Sequence, residues 1–186
     1  MSDPVFRASG CTCCADMLPN RLGRRTFFGM AGVAALAASL PRNVMAAEGH
    51  YEAMLLNCID PRFPENTIAY MRKRDMVGKY SQFVIAGGAI GVVAPAFKEW
   101  APAFWGNLAA SIQLHHIPKV IVLNHRDCGA AKIAYGAEAV KDPATETETH
   151  KAALATFRAE LAKRHPDLKA ETGLMALDGT VEMFAG

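Results

Sequence analysis

Lys119-Val120-Ile121-Val122-Leu123-Asn124-His125-Arg126-Asp127-Cys128-Gly129 is the stretch on which the fold turns. Its β-branched, near-continuous apolar run predicts a strand buried on both faces, which is the habit of parallel sheets. The run ends at His125, and the pattern turns helical from Cys128 to about Tyr135. A histidine and a cysteine three residues apart, where a strand stops and a helix starts, can both turn to one ion. The helix start also favours the thiolate form of the cysteine.

Two earlier apolar runs share this design. Ala53-Met54-Leu55-Leu56-Asn57 ends at Cys58-Ile59-Asp60-Pro61-Arg62, and Gln82-Phe83-Val84-Ile85-Ala86 ends at Gly87-Gly88. Helix-length segments separate the runs, 65–76 and 99–116, the second entered through Pro95 and Pro102 and closed before Pro118. A linker is expected around Asp142-Pro143. A helix from about Thr147 to Arg164 follows, with Leu154, Phe157 and Leu161 on one stripe. Residues 171–177 read as a last strand, turned by Asp178-Gly179. Strands alternating with helices predict an α/β fold, a mostly parallel central sheet covered by helices on both faces. In open sheets of this kind ligands bind at the carboxyl ends of the strands. Cys58, Gly87 and His125 all stand there.

Cys58, His125 and Cys128 supply two thiolates and one imidazole, the three-ligand set of a catalytic zinc site with an open fourth position. Carboxylates alone would suit harder ions, and an iron–sulfur cluster normally needs more cysteines. Zinc lowers the pKa of a bound water toward neutrality and so makes a nucleophile. Asp60 and Arg62 fit beside it as a gate. Paired with Arg62, Asp60 leaves the fourth position to water and can orient it; released, the carboxylate can bind the metal and close the site. Other readings of the same residues stay open: a surface ion pair between Asp60 and Arg62, a disulfide between Cys58 and Cys128, or a dithiol that cycles without metal.

The first 46 residues follow a different logic. Arg24-Arg25-Thr26-Phe27-Phe28 is a twin arginine before aromatic residues, Gly29 to Leu40 is a short apolar run rich in Ala and Gly, and Val44-Met45-Ala46 offers small residues for cleavage. This order predicts a twin-arginine signal peptide over 1–46, cleaved after Ala46 or Ala47, and a mature domain over 47–186. Its implied partner is the twin-arginine export machinery and its destination the bacterial periplasm. That route carries folded proteins, so a metal can be loaded before export. The apolar run is too short to span a bilayer, so no stable membrane anchor is expected. Cys11, Cys13 and Cys14 lie in the leader. Five of the 20 basic residues and two of the 18 acidic ones also fall there, so the remainder is close to neutral. That remainder carries no basic block interleaved with aromatics to bind nucleic acid.

With Cys-x-Asp-x-Arg at 58–62 and His-x-x-Cys-Gly at 125–129, in that order and at strand ends, the chain resembles the β-class carbonic anhydrases over about residues 53–178. The resemblance implies zinc held by Cys58, His125 and Cys128, with Asp60 and Arg62 as the dyad beside the metal. It implies a homodimer or higher oligomer, and reversible hydration of carbon dioxide to bicarbonate, the activity of a zinc-dependent lyase. Amides near Gly87, Gly88 and Gly129 would help to hold the oxyanion. The chain departs from the family's usual pattern in three places. Only about a dozen mature residues precede Cys58, where the family has a longer helical arm. Val84-Ile85 stands where Arg-Asn is usual. The segment 91–105, with Phe97, Trp100, Phe104 and Trp105, reads as an insertion that either forms an apolar mouth over the metal or packs as ordinary helix. The scaffold is also similar to hydrolases of carbonyl sulfide and carbon disulfide, and a catalytically silent zinc-binding periplasmic protein is a third reading. None of His50, His115, His116, His150 and His165 is singled out as a proton carrier.

Overall fold

The computed structural model describes residues 49–184. The expected signal peptide, its cleavage point and Cys11, Cys13 and Cys14 lie outside the described residues. In chain order the elements are β1 (Ala53–Asn57), α1 (Pro64–Lys73), β2 (Tyr80–Val84), a short α2 (Ala89–Val93), α3 (Ala101–His115), β3 (Lys119–His125), α4 (Gly129–Tyr135), α5 (Pro143–Arg164), β4 (Lys169–Met175) and β5 (Val181–Phe184). Turns of 3₁₀ helix at Pro95–Phe97 and Ala137–Val140 precede α3 and α5.

One five-stranded sheet runs in the order β2-β1-β3-β4-β5. The first four strands are parallel, and β5 pairs antiparallel with β4 at the edge. Strand alternation divides the core into two layers. Met54, Leu56, Val120 and Val122 face Phe104 and Leu108 of α3 and Leu154, Phe157 and Leu161 of α5. Ala53, Leu55, Ile121 and Leu123 face the other way, onto Phe63, Met71 and Met76. Helices therefore cover both faces. This explains why β1 and β3 read as unbroken apolar runs: every residue of β1 is buried, and all but the first of β3.

Several boundaries differ from expectation. β2 begins and ends two residues early, because Ile85 and Ala86 leave the ladder and curl toward the site: the Ile85 amide donates to Asn57 O and the Gly88 amide to Ile85 O. Asp142-Pro143 is a helix start rather than a linker. Asp142 caps α5 by accepting from the Thr145 amide, and Pro143 takes the first turn, where its missing N–H costs nothing. Segment 91–105 divides its roles. Phe104 is fully buried against Phe83, Trp105 and Phe157, whereas Trp100 stacks on Phe97 and stays partly exposed.

Candidate metal centre

β1 and β3 are neighbours and parallel, with Asn57 paired to Leu123, so Cys58 and His125 leave the sheet at the same edge. Cys128 follows as the residue that starts α4. Reaching it takes a sharp turn at Asp127, held at φ 56, the left-handed region that side chains other than glycine avoid. The result is a triangle. The two cysteine sulfurs and a histidine nitrogen lie within 4.8 Å of one another, and all three residues are buried. Both thiols are free rather than joined.

Each donor is prepared for a cation. The His125 Nδ1 faces the Arg126 carbonyl at 2.8 Å. A carbonyl can only accept, so Nδ1 carries the hydrogen and Nε2 presents a lone pair. Nε2 is buried and has no hydrogen-bond partner among the described residues, an expense a fold seldom tolerates without a ligand. The ring is clamped by Phe63, whose centroid lies 4.1 Å away. The Gly87 amide donates to Cys58 Sγ at 3.1 Å. The Cys58 thiol is lowered to about 4, first by a hydrogen bond from the Cys128 thiol, against burial, and then by His125 and the Gly87 amide. Cys128 moves upward, because it holds the proton that the pair shares and is itself buried. Burial pushes His125 down, but the Cys58 sulfur, the Arg126 carbonyl and the charge of Asp60 outweigh it, and the net direction is upward. Two sulfurs and an imidazole trading protons in a buried pocket suit a divalent cation that replaces those protons.

Asp60 and Arg62 are locked together beside the triangle. Arg62 Nε and Nη2 reach the two Asp60 oxygens at 3.0 and 2.8 Å, and the Arg62 amide adds a third bond at 3.0 Å. The guanidinium holds the Asp60 carboxyl at about 2, well below the usual range. Arg62 is raised in turn, by Asp60 first and then by Asp127. Asp60 Oδ2 stops 3.9 Å from His125 Nε2, near the donors yet committed to Arg62. Asp127 was not singled out in the sequence. It accepts from Arg62 Nη1 at 2.7 Å, and its carbonyl accepts from Nη2 at 2.9 Å, so the guanidinium bridges the two motifs.

The three glycines are placed differently from one another. The Gly87 amide is engaged by Cys58 Sγ and the Gly88 amide by Ile85 O, so neither is directed at an oxyanion. Gly129, at the first position of α4, remains the candidate of the three for that part. Gly88 has a structural duty: at φ 57, a Cβ there would lie 2.8 Å from Asn124 Oδ1. That oxygen accepts from the Ala89 amide at 3.0 Å. Beside the centre, a depression of about 420 Å³ is lined by Ile59, Val84, Ile85, Ala86, Trp100 and Ala103 among others. A second, of about 510 Å³, borders Cys58 itself.

Residues 48–159 match the family described as "Putative carbonic anhydrase". The uncharacterized protein RC0076 of Rickettsia conorii is 30% identical over 131 residues, covering 70% of each chain. An uncharacterized protein of Rickettsia bellii is 29% identical over 131 residues, 70% of this chain and 80% of its own. Among solved structures, the β-carbonic anhydrase CafA of Aspergillus fumigatus superposes with a TM-score of 0.50 at 15% identity, over 86% of each chain. A β-carbonic anhydrase of Sordaria macrospora, one of two described as tetrameric, gives 0.53 at 13% identity, over 87% of this chain and 94% of its own. At such identities the likeness is one of fold, and it is the same mostly parallel sheet. With the family match spanning more than half of its length, the chain belongs to the carbonic anhydrase family so described.

Proposed function

We propose that the protein is an exported zinc-dependent carbonic anhydrase that interconverts carbon dioxide and bicarbonate in the periplasm. The observation that carries this reading is the buried triangle of Cys58, His125 and Cys128, with Asp60 drawn off to Arg62 beside it. Two thiolates and one imidazole match zinc in ligand type and number. Zinc, when held there, supplies a hydroxide-equivalent nucleophile near neutral pH.

The chain's own residues set the rest. Asp60 stays ionised at all working pH values, so its carboxylate is an acceptor that can orient an attacking water by its proton. Arg62 and Asp127 keep that carboxylate from swinging onto the metal. Ile59, Ile68 and Val84 give an apolar side to the depression that borders Cys58, suited to a small, uncharged, linear molecule. The amide of Gly129, at the start of α4, is the one of the three glycine amides proposed to meet the charge that develops on oxygen. Ile59, Ile68, Val84 and Trp100 are 61%, 40%, 45% and 39% exposed and cluster near the edge strand β2, a surface fit for a second copy of the chain, with the approach to Cys58 then running along the seam between copies. The protein is accordingly a homodimer or higher oligomer in this reading, and the 1–46 leader directs it to the twin-arginine machinery.

The same apolar approach suits carbonyl sulfide and carbon disulfide, which are also linear. Stopped-flow assays run in parallel on carbon dioxide and carbonyl sulfide separate the substrates. Zinc-loaded wild type is expected to hydrate carbon dioxide far above the buffer rate, and Cys58→Ser to lose both zinc and rate. A protein that holds about one zinc per chain yet turns over neither substrate overturns the enzymatic reading.

A further inference from the structure

Glu146, in the first turn of α5, is buried, with 9% of its side chain exposed, and no step proposed above uses it. Its Oε1 accepts from the Asp127 amide at 2.6 Å, and its Oε2 lies 3.4 Å from Arg126 Nη1. The carbonyl of that same peptide, Arg126 O, is the one that takes the His125 Nδ1 hydrogen at 2.8 Å. One rigid peptide plane therefore holds a carboxylate on its N–H side and the metal-facing imidazole on its C=O side.

We propose that Glu146 is a positioning residue of the metal centre, acting on His125 through the Arg126–Asp127 peptide. A negative charge at the N–H polarises the amide, so its carbonyl becomes a stronger acceptor for the imidazole N–H. That bond keeps the hydrogen on Nδ1, turns Nε2 toward the cysteines and makes it a better donor, as a carboxylate bound directly to a ligating histidine does elsewhere. The same contact steadies the left-handed turn at Asp127 that brings Cys128 round. Arg126 is itself tied to α5 by Pro143 O and Thr147 Oγ1, at 3.1 and 2.8 Å, so the peptide cannot rotate freely.

Beneath Glu146, the fully buried His150 completes the arrangement. Asn124 gives its oxygen to the Ala89 amide, so its Nδ2 faces His150 Nδ1, which must accept. The His150 hydrogen then sits on Nε2, 4.0 Å from Glu146 Oε1.

This inference rests on the metal reading of the triangle, and the test keeps the two apart. Three readouts are taken on the full chain as wild type, Glu146→Ala and Glu146→Gln. They are zinc affinity by competition with a chromophoric chelator, the visible ligand-field bands of the cobalt(II) form, and the His125 Nδ1–H resonance of metal-free protein. Glu146→Ala is expected to weaken zinc by about 10- to 100-fold, to shift the cobalt bands, and to move the ring N–H resonance upfield with faster solvent exchange. Glu146→Gln keeps a carbonyl acceptor but not the charge, and is expected to fall between. A purely structural role would lower the melting temperature and leave the band positions and the ring resonance of the folded protein where they were; that result overturns the proposal. If the alanine variant does not fold, the glutamine variant decides, and an unmoved ring resonance there is equally fatal. A wild type that binds no metal defeats the reading of the triangle instead, and the metal-free resonance still tests the relay.

Discussion

Replacing Asp60 by Asn, or Arg62 by Lys, removes the gate while leaving all three metal donors in place. Carbon dioxide hydration is expected to fall on the order of 10²-fold, within the range of a lost proton-positioning group, with zinc content unchanged. Lysine does not rescue, because the Arg62 fork spans Asp60 and Asp127 at once and an ammonium cannot. Cys128→Ser should instead lose the metal along with the activity, as read by metal analysis. The two outcomes separate a gate residue from a ligand. Cys58, Asp60, Arg62, His125 and Cys128 were legible in the sequence because each motif is local and the residue types carry the chemistry. Asp127 and Glu146 were not. Asp127 sits at a position of the His-x-x-Cys pattern that no ligand rule constrains. Glu146 lies in the unremarked run Thr145-Glu146-Thr147-Glu148-Thr149, and only the packing of α5 behind β3 reveals its partner.

β1, β3 and α5 carry the site, and the first two were plain from their apolar runs, since burial on both faces leaves no polar alternation to confuse the reading. β5 was missed: Val181-Glu182-Met183-Phe184 is short, half exposed and paired on one side only, so its alternation is too brief to stand out. The apolar run through Ile85 and Ala86 misled in the other direction, because those half-buried residues belong to a turn and not to the ladder. That turn is testable. Gly88→Ala forces a side chain into a left-handed position and onto Asn124 Oδ1, and is expected to cost about 1–3 kcal/mol, read as a lower melting temperature. α5 contributes His150, lowered to about 4 by burial first and then by the nearby His125 and Arg126. Between pH 6.5 and about 4 the unfolded chain binds a proton that the folded chain refuses. Stability must therefore fall as pH drops through that window, by up to about 3 kcal/mol for this group. Urea midpoints at pH 7 and pH 4.5 should show it, and His150→Leu should flatten the difference.

For the whole molecule, the mostly parallel sheet and the two-sided core followed from strand–helix alternation, whereas the strand order β2-β1-β3-β4-β5 is visible in the structure alone; together they deliver residues about 70 positions apart in sequence to one edge. No helix among the described residues is long and apolar enough to cross a membrane. Association is implied by resemblance, and the exposed apolar group near β2 is the surface proposed for it. Light scattering should return at least twice the chain mass, and Val84→Lys with Trp100→Glu should reduce it to one copy. Zinc bridging β1 and β3 should also raise the melting temperature, and a chelator should reverse the gain. The central assertion is that two sulfurs and one imidazole share a single zinc and leave one position for solvent. X-ray absorption at the zinc edge of purified protein measures this set directly. Two sulfurs at about 2.3 Å with two nitrogen or oxygen neighbours at about 2.0 Å are expected; a shell without sulfur, or one of four sulfurs, contradicts it.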